Sequence, residues 1–311
     1  MFEIFEVDLA AKEDVEPLGK KPKFWFRRED GKWLFKSARE NTGEHWAEKL
    51  AAEIARLIEL PAARVSLANC SDLSETGYRS AGVIVKSFVD ESLGEELVHG
   101  NEALSAINQG YDKSKKYRQN EHTVDQILAA LYFLPSAPDA LAKDWVDEVT
   151  TFIGYLLLDA LITNVDRHHE NWGILIRQIS GTDSLARRLA PTYDHASSLG
   201  REHRDFGARG KRAILDRKGI PDYIERASGA VYWESEQVKG PSPIGLLRSI
   251  SQYEHLRPNL VKWRSLISDL NSVQFEELLH QVPDETMSKT SKEFALAMLQ
   301  YSLTEVKKCL E

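Results

Sequence analysis

Residues 163–171 read TNVDRHHEN, from Thr163 to Asn171. The stretch directly follows Trp145–Ile162, whose apolar residues recur at helical period, and directly precedes Gly173–Ile179, which reads as a strand. Asp166 and Asn171 thus stand five residues apart in a loop held by a rigid element on either side. The strand turns at Ser180-Gly181-Thr182-Asp183 and returns over Leu185–Leu189 as a hairpin. Beyond it comes Pro191-Thr192-Tyr193-Asp194. Phosphoryl transfer uses this set of groups. One carboxylate accepts or orients the attacking hydroxyl, an amide oxygen helps hold magnesium, and a second carboxylate bridges magnesium to the phosphates.

In that reading Asp166 serves the acceptor, and Asn171 and Asp194 are the metal ligands. Protein kinases present an Asp…Asn loop, a hairpin and a metal-binding Asp in this chain order. The other half of an ATP site belongs earlier in the chain. Phe24–Arg27 (FWFR) and Lys32–Ser37 (KWLFKS) read as strands around a turn at Glu29-Asp30-Gly31. Lys36, near the end of the second, puts an ammonium within reach of the α- and β-phosphates. Such a lysine needs a carboxylate partner. The next helix, Glu44–Leu60, is ended by Pro61 and carries Trp46, Leu50, Ile54, Leu57 and Ile58 on its apolar face. It offers Glu44 and Glu48 at the alanine-rich edge of that face, beside Ala51, Ala52 and Ala55, and leaves open which of them pairs with Lys36. Leu18-Gly19-Lys20-Lys21-Pro22-Lys23 reads as a phosphate-covering turn, with Gly19 and Lys23 as its contacts. Val65–Ala68 and Ala81–Val89 read as further strands.

Taken singly, each residue has an ordinary explanation: a solvated strand-end lysine, an exposed helix glutamate, a loop-closing Asp and Asn. Their joint order has few. A rival assembly of Asp166, His168, His169, Asp194, His195 and His203 as a metal hydrolase site is weaker, because adjacent loop ligands rarely meet at one ion and no HExxH spacing occurs. One of these histidines is expected to brace the catalytic loop, and the others to lie on the surface.

The remaining sequence bounds the class. At 311 residues, 42% hydrophobic and 28% charged, the chain is an ordinary globular protein, long enough for two domains or one large one. Its net charge of −8 argues against general nucleic-acid binding, and no direct DNA binding is expected. Cys70 and Cys309 form no spacing motif, which excludes a disulfide framework or zinc ribbon and fits a reducing cytoplasm. The acidic start, MFEIFEVDLAAKEDVE, does not read as a signal peptide. The most membrane-like stretch, Phe152–Ile162, is only eleven residues long and is interrupted by Asp159, so no membrane span is expected. The first hundred residues read as strands with one helix; from about residue 91 the character is mostly helical, with Val124–Phe133 and Ser291–Cys309 at helical period.

These residues resemble a known family, the HipA-like Ser/Thr kinases, bacterial toxin kinases related in fold to protein kinases and to phosphatidylinositol kinases. The family's Asp-x-His-x-x-Asn loop is matched by Asp166, His168 and Asn171. Its metal-binding Asp is matched by Asp194 in LAPTYDHASS, and its glutamate-led, Ala- and Leu-rich helix by Glu48–Pro61. The resemblance spans roughly residues 17–305. It implies an α+β, bilobal fold with a small β-rich lobe (1–90) and a larger helical lobe (91–311). It implies ATP and Mg2+ as cofactors, Lys36 as the nucleotide lysine, a hinge at Lys86, Ser87 and Phe88, and Asp90 at the ribose. A protein Ser or Thr is the implied acceptor, an aminoacyl-tRNA synthetase or other translation component by resemblance only, with an antitoxin as partner. Two departures stand out. The chain starts almost at the phosphate loop, as short members do, and Gly19–Lys23 holds no Ser, Thr or Tyr, so self-phosphorylation there is not expected. The order Asp166-Arg167-His168 also resembles the phosphatidylinositol kinases, which keeps a lipid or other non-protein acceptor as an alternative. A catalytically silent kinase-fold binding module is another.

After Asp194 comes a basic stretch, Arg201, Arg204, Arg209, Lys211, Arg212, Arg217 and Lys218. Gly200, Gly207 and Gly210 lower its helix propensity. The expectation is a mobile segment on the acceptor side of the cleft, with Arg209, Lys211 and Arg212 free to meet an acidic or nucleic-acid-bound substrate.

Overall fold

The computed structural model describes residues 1–15, 21–76, 79–133, 141–182, 185–202 and 204–311. Gly19, Lys20 and His203 lie outside them. The first strands and helix are β1 (Ile4–Glu6), β2 (Asp14–Val15), β3 (Lys23–Arg28), β4 (Gly31–Ser37), α1 (Glu44–Leu57), β5 (Val65–Asn69) and β6 (Ala81–Lys86). The strands form one sheet in the order β1-β5-β6-β4-β3-β2, with β1 and β5 parallel and the other neighbours antiparallel. Its hairpin β3–β4 turns where expected. Asp30 accepts a 2.8 Å bond from the Trp33 indole, and Gly31 adopts φ 124°, a conformation that suits a residue without Cβ.

Strand alternation sorts the side chains by face. Phe24, Phe26, Trp33 and Phe35 pack on one side of the sheet with Ala68 and Ile84. Leu34 and Lys36 share the other face with Val85 and Val83, their register partners on β6. Next to them Gly82 is obligatory, because a Cβ there would sit 2.2 Å from the Lys36 carbonyl oxygen. The helix α1 covers this second face, with Ala52 in its contact layer. It ends three residues earlier than its apolar pattern indicates. Glu59 turns left-handed at φ 53°, its N–H bonds to the Arg56 carbonyl (3.1 Å), and Leu60 N–H bonds to the Ala55 carbonyl (2.9 Å). This paired closure stops the helix before Pro61 is reached. Strand β6 is likewise shorter than its apolar run, ending at Lys86, although Ser87 N–H still bonds to the Lys32 carbonyl of β4.

The rest of the chain comprises β7 (Glu96–His99), α2 (Gly100–Ile107), α3 (Val124–Phe133), α4 (Leu141–Ile162), β8 (Gly173–Gln178), β9 (Leu185–Leu189), α5 (Lys211–Asp216), α6 (Ile220–Glu225), α7 (Pro243–Gln252), α8 (Arg257–Asp269), α9 (Ser272–Gln281) and α10 (Lys289–Leu310). Strands β7, β8 and β9 form a separate antiparallel sheet. The second half of α4 is the axis of the larger core, where Phe152, Leu157 and Ile162 meet Trp263 of α8 and Phe294 of α10. Residues on α1 join this core, so one helix seats the first sheet on the helical part. The fold is therefore α+β, a small sheet region with a helical remainder. No helix among the described residues is long and apolar enough to cross a membrane.

Candidate active site

The residues of TNVDRHHEN emerge from the C-terminal end of α4, and a buried ion pair sets their course. Asp159, on the last turn of α4, takes two bonds from Arg167, Nε to Oδ2 at 2.9 Å and Nη2 to Oδ1 at 2.7 Å. The Asn164 amide also donates to Asp159 Oδ1 at 2.8 Å. Arg167 reaches further, with Nη1 donating to the Asn171 carbonyl at 2.8 Å and the Tyr193 carbonyl at 3.4 Å. One guanidinium thereby ties the loop to the segment carrying Asp194. Such paired geometry is what makes a buried arginine tenable. Asp159 had registered in the sequence only as a break in an apolar run. The signal was present, since a lone carboxylate in a core helix must have a partner.

Within the loop, Asn171 Nδ2 donates to the Asp166 carbonyl at 2.7 Å, which leaves Oδ1 as the acceptor end of its amide. His168 accepts the Glu170 N–H at Nδ1 (3.2 Å), and its Nε2 lies 4.0 Å from Asp166 Oδ1. Burial, then Lys116, pushes its imidazole down to about 3, so it is neutral at pH 7. His169 and His195 are not surface residues. His169 is hydrogen-bonded to the Tyr111 hydroxyl at 2.7 Å, and His195 to Thr192 at 2.7 Å. His122 takes the Trp172 indole N–H at 3.0 Å. All three are buried, each with at least one ring nitrogen hydrogen-bonded beneath or beside the loop. Among the described residues, no three His, Cys, Asp or Glu side chains converge as a metal-binding group.

Across the cleft, Lys36 Nζ lies 3.2 Å from Asp194 Oδ1, joining residues 158 positions apart. Asp194 adopts φ 60°, and its N–H donates to Glu48 Oε1 at 3.1 Å. Left-handed backbone at an aspartate is sparsely populated and is held here by that buried carboxylate. Glu48 is 1% exposed, and its Oε2 has no hydrogen-bond partner. Burial pushes the Glu48 carboxyl up. Burial alone would raise the Asp194 carboxyl as well, but Lys36, Lys23 and Lys21 outweigh it and hold it well below the usual range. Glu44 is engaged elsewhere, with Lys21 at 2.5 Å, Arg201 at 2.9 Å and the Arg39 N–H at 2.9 Å. The question of which glutamate serves Lys36 thus has a different form. Asp194 pairs with the lysine directly, and Glu48 steadies Asp194.

Two cavities meet at this junction and share Lys23, Lys36, Lys116, Glu170 and Asp194. The smaller, about 290 Å³, is an apolar slot between Leu34, Val85, Phe88, Leu97 and Tyr193, with Asn171 at its inner end. Phe88 stacks on Tyr193 with ring centroids 5.4 Å apart. Lys86, Ser87 and Phe88 all line this slot, while the Lys86 ammonium is directed to Asp30 at 3.2 Å. Asp90 does not line it. Its Oδ1 accepts the Ser92 N–H (3.0 Å) and hydroxyl (2.6 Å) at the start of a 3-10 turn. The larger cavity, about 530 Å³, holds Asp166, His168 and Glu48. Burial and the Asp194 charge push the Asp166 carboxyl up, against Lys116 and a 3.3 Å bond from the Ser197 hydroxyl. Lys116, Tyr193 and Ser197 were not anticipated. Lys116 sits in a long connection with no periodic pattern, so nothing local marks it.

The basic stretch differs from expectation. Lys211 is buried, donates to the Ser291 hydroxyl at 2.8 Å and lies 5.6 Å from the Trp46 ring centroid. Arg212 is paired with Glu293. Both anchor α5 to α10 and α1, so the segment is not a free strap. Arg209, Arg217 and Lys218 remain exposed.

Comparison with solved structures finds the same fold elsewhere. The chain superposes on the Helicobacter pylori proinflammatory kinase CtkA with a TM-score of 0.73 at 16% identity, covering 98% of both chains. It also superposes on HipA from the Shewanella oneidensis MR-1 toxin–antitoxin complex of HipA, HipB and operator DNA, with a TM-score of 0.56 at 14% identity. That match covers 96% of this chain and 65% of HipA. At such identity these likenesses show the shared fold. No curated protein matches the chain by sequence. Residues 16–231, which span every element of the site just described, match the HipA-like C-terminal domain, and the chain belongs to that family.

Proposed function

We propose that this protein is an ATP- and Mg2+-dependent kinase that transfers the γ-phosphate to a Ser or Thr hydroxyl of a protein. One observation carries the reading. Lys36 and Asp194, brought together from separate parts of the chain, sit between an apolar slot on one side and Asp166 on the other. The slot suits a purine, flat and apolar with Phe88 and Tyr193 at its wall. The division of the chain near residue 90 follows, because the strands before it form one sheet and those after it another.

The donor set fits magnesium. Asp194 is held ionised, and the Asn171 amide oxygen is turned away from the bond its nitrogen makes; both are hard oxygen ligands. The Lys36 ammonium is the countercharge on Asp194 in the structure. Bound there, the ion would neutralise charge building on the phosphates. Lys36, with Lys23 beside it in the strand register, clamps the phosphate oxygens. Glu48 fixes the Asp194 backbone. Asp166 orients the acceptor hydroxyl and takes its proton, a task helped by its raised pKa. His168, neutral and buried, braces Asp166 from within the loop. Gly19 would belong to the phosphate-covering turn. The same proposal includes a cytoplasmic location, a translation component as acceptor and an antitoxin-type protein as partner, in line with the HipB-bound relative.

The test is γ-labelled ATP with the purified protein and a cell lysate, followed by separation of protein and lipid fractions. Label on protein Ser or Thr that requires magnesium supports the proposal. Label confined to lipid would replace the acceptor, and no transfer under any condition would leave a silent binding module.

A further inference from the structure

A cavity of about 880 Å³ opens beside the clamp, floored by Thr163 and Val165 of the catalytic loop and walled by α5 and α6. Ser197 lines both this cavity and the one holding Asp166. Its hydroxyl, 3.3 Å from Asp166 Oδ2, marks where an acceptor hydroxyl would approach. A chain bearing that hydroxyl must therefore continue into this space. Resting on the kinase reading above, we propose that this cavity is the docking groove for the acceptor, and that it selects an anionic stretch of polypeptide flanking the acceptor hydroxyl.

The charges support this. Of the cations around the groove, Arg226 is held by Asp222 at 3.2 Å, and Arg201 by Glu44 at 2.9 Å. Lys211 and Arg212 are bound to α10. Arg209, Arg217 and Lys218 all line the groove and have no ion pair among the described residues. Three cations without an ion pair among the described residues are thus gathered at one cavity, on a chain whose net charge is −8. Lys218 holds a left-handed φ of 55° at the α5–α6 junction, a position that favours glycine. Its N–H bonds to the Leu215 carbonyl at 2.9 Å, which keeps the three cations on a fixed corner. Arginines so placed match carboxylates through paired hydrogen bonds.

Size and surroundings favour a polypeptide. The volume is near the upper end of small-ligand pockets, which run to roughly 1,000 Å³. Phe206, three residues before Arg209, is 72% exposed, an aromatic of the kind that anchors protein partners. Glu202 and Asp222 in the same lining would repel a nucleic-acid backbone, whereas a peptide with spaced carboxylates can avoid them.

The test uses the full chain with magnesium and a non-hydrolysable ATP analogue, reading fluorescence anisotropy of labelled serine peptides of equal length. Their flanks are Glu, Gln or Lys, and a single-stranded oligonucleotide serves as competitor. The Glu-flanked peptide should bind about tenfold more tightly than the Gln-flanked one, with a preference that fades as salt rises. Replacing Arg209→Gln, Arg217→Gln and Lys218→Gln together should abolish that preference and leave analogue affinity unchanged. Equal binding of the three peptides, an unchanged preference in the triple variant, or stronger competition by the oligonucleotide than by unlabelled acidic peptide would overturn the groove. A wild-type protein that shows the acidic preference but does not bind the analogue would count against the kinase reading and leave the groove standing.

Discussion

Two charged regions meet at the catalytic loop, and they are built in opposite ways. Beneath it, Arg167 and Asp159 are 2% and 4% exposed and share two bonds. Above it, Lys36 and Asp194 are 13% and 33% exposed and joined by one contact beside an open cavity. The lower pair is saturated and inaccessible, so it can only hold shape. The upper groups are reachable and the Asp194 carboxyl is held below its usual range, which is the condition of groups that exchange partners during a reaction. Ion pairing alone does not separate scaffold from site. Saturation and access do.

Substitutions can break or sharpen this contrast. The largest effect belongs to Asp166→Asn, which removes the proposed base and should slow phosphate transfer by about 10²- to 10⁴-fold while leaving ATP affinity largely intact. Single-turnover kinetics beside equilibrium binding would show it, and full transfer activity would sink the role. Next comes Arg167→Leu, which strands a buried carboxylate and should cost about 3–5 kcal/mol in urea unfolding. A stable Arg167→Leu variant would mean that the lower pair is dispensable.

Lys36→Met is the matching change above the loop. It should barely alter unfolding, yet weaken ATP binding by about 1.5–3 kcal/mol through lost charge-assisted bonds. The contrast fails if Lys36→Met destabilises the fold as much as Arg167→Leu does. The smallest effect is on pH dependence. The acid limb of kcat/KM should report Asp166, whose pKa burial and Asp194 raise above the ordinary 3.8 and Lys116 pulls back down. Removing the lysine disfavours the carboxylate, so Lys116→Met should shift that limb to higher pH. A shift to lower pH would contradict the assigned electrostatics.

What the sequence could disclose divides along the same line. Side chains on loops between rigid elements keep their spacing in the fold, and the convergence of Asp166, His168, Asn171 and Asp194 was legible for that reason. Lys36 was legible because an amphipathic hairpin fixes where its strand ends. Strands β1, β2 and β7 were not, since each is four residues or fewer and gains its identity from neighbours distant in the chain. Lys211 misled for a related reason. Its neighbours in sequence are basic and glycine-rich, but its partners, Ser291 and Trp46, come from α10 and α1. Glu48 shows the same limit in finer detail. Its place on the helix face was readable, but its bond to the Asp194 N–H depends on a left-handed backbone that spacing does not reveal.

The central claim is that the Lys36–Asp194 junction is a magnesium-nucleotide site. Calorimetric titration of ATP into the wild-type protein and Asp194→Asn, each with magnesium and with EDTA, tests it most directly. The wild type should bind ATP far more tightly with magnesium, and Asp194→Asn should lose most of that difference while remaining folded, because it removes a metal ligand and keeps the shape of the side chain. Wild-type affinity that is the same with and without magnesium, or a variant that keeps the full magnesium response, would contradict the account.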